Sequence, residues 1–314
     1  MIRTPLCDLL GIEHPVFQGG MAWIADASLA SAVSQAGGLG IIAAMNANAE
    51  WLRGQIHELR AKTDKPFGVN IMLMSPFADE VAQVVIDEHV PVVVTGAGNP
   101  TKYMAAWKQA GIKVIPVVAS VSMAKLVARL GATAVVAEGG ESGGHVGDLT
   151  TMALVPQVVD AVDIPVLAAG GIADGRQVAA AFMLGAQGVQ VGTRFLVATE
   201  CTVSPVYKEK VIKAKDISTI VTGRRTGHPV RALKTPFTHD YAQLEATCQN
   251  DEELHGTSAG ALRKAAKDGD VDHGYFMAGQ VAGMVSKEEP AADIIADLMD
   301  GAERVLKGAG TWIA

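Results

Sequence analysis

One histidine, His145, stands in a run of glycines. The stretch EGGESGGHVGDLTT, from Glu138 to Thr151, holds five glycines in 14 residues. Glycine is costly to order and offers nothing to pack, so a chain that accepts this much of it needs unusual backbone angles or a close approach to something. A histidine titrates near pH 6.5 and can give or take a proton at neutral pH. A lone histidine is commonly structural. Its position after a buried apolar run, in a glycine-rich loop, favours chemistry. No HxH, HExxH or CxxC accompanies it, which argues against a catalytic metal. No GxSxG is present, which disfavours a serine hydrolase of the α/β type. GGESGG is a poor match to GxGxxG.

A second group of residues suits an anion. AAGGIADG (168–175) and QVGTRF (190–195) each place glycine at the end of an apolar run. Backbone N–H groups there, with the N-terminus of a short helix, commonly hold a phosphate. Arg194 either adds charge to that site or turns outward into a surface ion pair.

The elements that carry these groups are legible. Short apolar runs begin at Val16, Leu39, Phe67, Pro91, Lys113, Ala134, Pro165 and Gly188. They are nearly continuous in apolar character, as in parallel strands buried on both faces. Helical patterns lie between most of them. Asp26 opens one and Gly37 closes it; Asn99 and Pro100 open another and Gly111 closes it; Asp174 and Gly185 bound a third. Eight such units predict a (β/α)8 TIM barrel, with a doubly wound open sheet as the alternative. The polar and glycine positions all fall at strand C-termini, where barrels keep their active sites: Gln18 to Met21, Asn70, Thr95 to Gly98, Glu138 to His145, Gly170-Gly171, and Gln190 to Thr193. The amphipathic stretch 291–307 is expected to supply the last outer helix. Residues 1–199 and 286–314 then form the barrel, and 200–285 a lid or small second domain inserted after the eighth strand.

Composition bounds the rest. Hydrophobic residues make up 49% of the 314 and charged residues 19%, enough for a large core and against disorder. The net charge of −7 argues against nucleic acid as the main partner. Cys7, Cys201 and Cys248 are scattered, which suggests neither a disulfide framework nor zinc and fits a reducing cytoplasm. No signal peptide is read at the N-terminus, and no apolar run approaches the roughly 18 residues of a membrane span. Between Tyr207 and Lys234, eight basic residues (Lys208, Lys210, Lys213, Lys215, Arg224, Arg225, Arg231, Lys234) face two acids, Glu209 and Asp216. That segment is either a solvated surface or a docking face for an anionic partner or cofactor.

Taken in order, FQGGMAW, KPFGVNIML, VVTGAGNP, AEGGESGGHVG, LAAGGIADG, GVQVGTRF and FMAGQVAG resemble the flavin-dependent enoyl-(acyl-carrier-protein) reductases of type II, within the wider nitronate monooxygenase-like barrel family. The resemblance covers essentially the whole chain. It implies FMN as cofactor, NADH or NADPH as reductant, and an enoyl thioester on acyl carrier protein as substrate. Carried over by motif, Gly20, Met21, Ala22 and Asn70 should line the flavin ring and its polar edge. Glu138, Ser142 and Gly147 should bracket ring and ribityl chain, and Gly171, Gln190, Gly192 and Thr193 the phosphate. His145 should face the substrate side, with Gly96 nearby, and Met277, Ala278, Gly279 and Gln280 should approach from the lid. His145 would then supply a proton, steady an enolate or shape the pocket. A homodimer is expected, and some relatives respond to a monovalent cation. The alternatives are a nitronate monooxygenase, using FMN and oxygen on alkyl nitronates, and a non-catalytic flavin- or phosphate-binding barrel. Inosine-monophosphate dehydrogenases share a GGI segment, but none of the three cysteines lies in a strand-end glycine motif.

Overall fold

The apolar runs become strands that close on themselves. In chain order the first half comprises α1 (Pro5–Leu10), β1 (Val16–Gln18), α2 (Ala27–Gln35), β2 (Gly40–Ala43), α3 (Ala49–Lys62), β3 (Phe67–Met72), α4 (Ala78–Asp87), β4 (Val92–Gly96), α5 (Thr101–Gln109), β5 (Lys113–Val118), α6 (Val121–Arg129) and β6 (Val135–Glu138). Then come β7 (Gly144–His145), α7 (Thr151–Val159), β8 (Val166–Ala169), α8 (Gly175–Met183) and β9 (Gly188–Val191). The computed structural model describes residues 2–45, 47–248 and 250–312. All pairings among the eight long strands are parallel, in the order β1-β9-β8-β6-β5-β4-β3-β2. A bridge from Phe17 to Leu39 brings β1 back to β2, with Gln18 N–H donating to Leu39 O at 3.0 Å. The expected (β/α)8 barrel is thus observed.

Two apolar layers hold it. Phe17, Ile41, Val94, Ile115, Val136 and Leu167 point inward, and Leu6, Cys7 and Leu10 of α1 join them at the barrel's N-terminal end. The other strand face packs on the helices, in a larger cluster that includes Val69, Val93, Trp107, Val155 and Val189. Alternate residues of one strand serve both layers, so the strands read as unbroken apolar runs. The helix signals act as read. Asp26 accepts from the N–H groups of Ser28 and Leu29, and Asp174 forms a capping box with Gln177; such a cap is worth about 1 kcal/mol. Pro100 lies one position earlier than expected, at the N-cap of α5, while Asn99 Oδ1 accepts from Thr101 N–H.

After β9 a 3₁₀ turn (Thr193–Val197) leads away from the barrel. The insertion contains α9 (Pro205–Ile212), β10 (Thr219–Thr222), β11 (Val230–Leu233), α10 (Pro236–Thr247), α11 (Asp251–Ser258) and α12 (Ala261–Arg263). The chain returns as α13 (Ala291–Ala309), which packs against α8 and α2 and completes the outer ring. The insertion has its own apolar cluster, built on Phe237, Tyr241, Leu254 and Tyr275. Tyr207, Val211, Ala265 and Phe276 belong instead to the barrel's large outer cluster. No helix among the described residues is long and apolar enough to cross a membrane.

The basic stretch is largely consumed by internal pairing. Lys208 Nζ donates to Ala198 O and pairs with Glu288 at 2.6 Å, and Lys213 pairs with Glu209. Arg225 binds Asp251 at 2.7 Å, Arg231 donates to Gly140 O, and Lys210 lies over the Phe276 ring. Lys215 and Lys234 carry no ion pair among the described residues.

Candidate active site

The strand-end loops and the insertion enclose a cavity of about 500 Å³ at the C-terminal mouth of the barrel. That is the size range of small-molecule and cofactor sites, roughly 300–1,000 Å³. The loop after β1 contributes Gly20, Met21 and Ala22, and strand β3 contributes Asn70. A Cβ on Gly20 would collide with the Asn70 side chain, so the two strand ends can lie this close only with glycine there.

The wall between β8 and β9 is backbone. Gly170 and Gly171 adopt φ of 88° and 73°, the left-handed region that glycine enters without penalty. Gly171, Ile172, Gly192 and Thr193 line the cavity, and their N–H groups donate no hydrogen bond among the described residues. Unpaired amides from two adjacent loops make a cradle for an anion. Gln190 reaches the same wall from β9, and its buried Oε1 has no partner. Arg194 takes no part. It is buried and bound to Glu289, with Asp297 at 3.8 Å, so neither expectation for its charge is met.

The loop after β6 is more ordered than its glycines suggest. Glu141 folds back to accept from Thr151 N–H at 2.9 Å and from its hydroxyl at 3.0 Å. The Thr151 hydroxyl also lies 2.9 Å from Gly170 O, tying this loop to the anion cradle. The loop's end is β7, which pairs antiparallel with β11, His145 opposite Val230, and β11 pairs in turn with β10. His145 is therefore set by the insertion as much as by the barrel. It is exposed at the cavity mouth, its ring perpendicular to that of His228 with centroids 6.5 Å apart. Surrounding protein and then the neighbouring His228 hold its pKa below the ordinary 6.5, so the imidazole is neutral at pH 7.

Glu138 lines the cavity floor beside Ser142. Burial pushes its carboxyl up to about 7, against an opposing pull from the Ser142 hydroxyl. That hydroxyl is itself buried, with no partner of good hydrogen-bond geometry. Gly96, Gly147, Met277 and Gly279 also line the cavity, and Gly279 N–H donates to Thr193 Oγ1 at 2.9 Å. Ala278 and Gln280 do not: Ala278 is buried in the outer core, and Gln280 is exposed, with its N–H donating to Glu141 O. Sequence reasoning missed Glu141, His228, and the lining methionines Met45, Met72 and Met74. His228 has no local signature, since only the pairing of β11 with β7 brings its turn to the mouth.

Fold and site define a (β/α)8 barrel with a cofactor-sized cavity, an anion cradle at its seventh and eighth barrel strands, and a roof made by an insertion. The chain belongs to the nitronate monooxygenase family, whose model matches residues 3–85 and 77–301. The structure of FabK from Thermotoga maritima is 52% identical, covers 100% of both chains and superposes with a TM-score of 0.98. A Mycobacterium tuberculosis protein named (3aS,4S,5R,7aS)-5-hydroxy-7a-methyl-1-oxo-octahydro-1H-indene-4-carboxyl-CoA dehydrogenase is 42% identical over 85% of this chain and 74% of its own. A probable nitronate monooxygenase of Staphylococcus aureus is 31% identical over 97% and 99%. The residues present fit the FMN that the resemblance implies. Free amides suit its phosphate, and the orphaned Gln190 Oε1 suits a polar atom of the ligand.

Proposed function

We propose that this chain is an FMN-dependent enoyl-(acyl-carrier-protein) reductase, using NADH or NADPH to saturate trans-2-enoyl thioesters in fatty-acid elongation. The observation that carries it is the full-length likeness to FabK, which extends the enoyl-reductase motifs of the sequence to the whole fold. A relative named for dehydrogenation of a carboxyl-CoA supports thioester chemistry in this branch.

Bound FMN supplies the hydride that reaches the substrate's β-carbon. Gly171, Ile172, Gly192 and Thr193 hold the phosphate through their amides, and Gln190, Ser142, Asn70 and Gly20 to Ala22 position the rest. Hydride addition leaves enolate charge on the thioester oxygen. His145, neutral at pH 7, donates an N–H to that oxygen while the α-carbon takes a proton from solvent. One such donor is typically worth about 2.7–4 kcal/mol of barrier. Residues 200–285 act as the lid over the barrel of 1–199 and 286–314, covering the cavity and presenting Met277 and His228 to it. Lys215, Lys234 and Arg224 offer the remaining cationic surface to an acidic carrier protein. A response to a monovalent cation belongs to the same reading, checked by exchanging sodium for potassium or ammonium.

The test is stopped flow: reduction of the flavoprotein by each nucleotide, then reoxidation by crotonyl thioester or by oxygen. Fast reduction with thioester-dependent reoxidation is expected. The second reading, a nitronate monooxygenase, is favoured by the family match and the Staphylococcus aureus relatives. It wins if the enzyme consumes oxygen with an alkyl nitronate and needs no nicotinamide.

A further inference from the structure

The cavity has two chemically distinct ends, and the strand order puts them opposite each other. Around the ring β1-β9-β8-β6-β5-β4-β3-β2, β9 lies across from β4, and β8 across from β3. The anion cradle comes from the ends of β8 and β9. The facing ends belong to β2, β3 and β4, and beyond Asn70, which packs against Gly20, the lining there is Met45, Met72, Met74, Gly96 and Ala97. No charged side chain from this sector lines the cavity among the described residues. Five of the chain's 12 methionines line this one cavity, three of them in this sector. The sector opens outward: Met74 is 63% exposed at the rim, with Phe77 exposed close behind it in the same loop.

From this arrangement we infer that Met45, Met72 and Met74 form the acyl-chain channel, running from the cavity past the ends of β3 and β4 to the rim, and that they set chain-length preference. The inference rests on the proposed thioester reductase activity. A cofactor phosphate fixed at β8–β9 leaves the opposite sector for a different ligand, and an unbranched hydrocarbon is the part of an enoyl thioester that asks for no polar partner. Methionine suits it: flexible, unbranched and polarisable, it repacks around chains of differing length. A channel open at the rim accepts long chains instead of ending them.

The experiment compares four-carbon and twelve-carbon trans-2-enoyl thioesters on the FMN-loaded enzyme and two variants. Met72→Trp narrows the channel midway. Met74→Asp, at an exposed site where folding is insensitive, places a charge on the exit path. Each methylene withdrawn from apolar surface is worth roughly fourfold in kcat/KM. Both variants are therefore expected to lower kcat/KM for the twelve-carbon substrate by at least about tenfold. Met74→Asp, at the rim, should leave the four-carbon substrate within about twofold, with flavin absorbance unchanged. Equal losses at both lengths, or no loss at either, in the Met74→Asp enzyme would overturn the channel while leaving the reductase reading intact. Wild-type enzyme that reduces neither thioester overturns both.

Discussion

Between β8 and β9 the cavity wall is main chain: glycines with left-handed angles and unpaired amides, with the neighbouring Glu141 carboxylate tied back to Thr151. On the β6 side the proposed working group is the His145 imidazole, carried on a two-residue strand paired with β11 of the insertion. The first region is prefabricated by the barrel and works wherever the barrel folds. The second is assembled only when the insertion docks. In the proposed reading, binding the cofactor and using it fall to different parts of the chain, and substitutions should separate them.

The largest effect is expected where a side chain replaces backbone in the cradle. Gly171→Val forces a β-branched residue into φ 73° and brings its Cβ to 3.4 Å from that of Glu141. Left-handed strain costs about 1–2 kcal/mol, and each lost charge-assisted hydrogen bond about 1.5–3. Affinity for FMN should fall on the order of 10³-fold by fluorescence titration, with the circular dichroism of the barrel retained. Flavin binding within about threefold of wild type would mean that the cradle holds something else.

His145→Ala probes the other region. It should keep its flavin and lose roughly 10²-fold in kcat for thioester reduction, the value of one donor to a developing oxyanion. Reduction of the flavin by nucleotide should change little. Because the surrounding protein and His228 hold the imidazole below its ordinary pKa, wild-type kcat should be level from pH 7 to pH 9. A kcat that falls across that range would show that the charged imidazolium is the working form, acting as a proton donor.

Glu138 lies between the two regions and reports on its own burial. Its carboxyl titrates at about 7 when folded, against an ordinary 4.5. Folding therefore takes up a proton between those values, and stability of the flavin-free protein should fall as pH rises from about 4.5 to about 7. The Glu138→Gln protein should lose most of that slope in its Tm and melt higher than wild type at pH 8. Parallel Tm curves for the two proteins would place the titration elsewhere.

The contrast also explains what could be read from the sequence. Strands β1 to β6, β8 and β9 were legible because each is a nearly continuous apolar run, and most lead into or closely precede glycine. Asp26 and Asp174 announced their helices through local capping. The cradle was legible for the same reason, since main-chain sites need glycine and glycine is visible. His145 stood out among glycines, but β7 did not: a two-residue strand is defined by its partner, and Val230 lies 85 positions on. His228, Glu141 and the methionines of β2 and β3 were illegible because their roles depend on tertiary neighbours. The charge excess of 207–234 misled in part, since the acids that offset it, such as Asp251 and Glu288, lie outside that window.

The smallest effect is expected on the insertion's outer face. Arg224 is exposed in the turn between β10 and β11, paired only loosely with Asp148 at 3.4 Å. Arg225 is committed to Asp251 and to the main chain after α10, so replacing it would disturb the insertion itself. Arg224→Glu is therefore the cleaner change, and an exposed pair contributes about 0.2–1 kcal/mol. If this turn greets an acidic carrier protein, KM for the carrier-bound thioester should rise about two- to fivefold at low salt. The difference should shrink as ionic strength shortens the screening length towards roughly 8 Å. A short thioester without carrier should show no change, because it reaches His145 without touching Arg224, which does not line the cavity among the described residues. Equal KM shifts for both substrates would mean that Arg224 acts by holding the hairpin, and with it β7, in place.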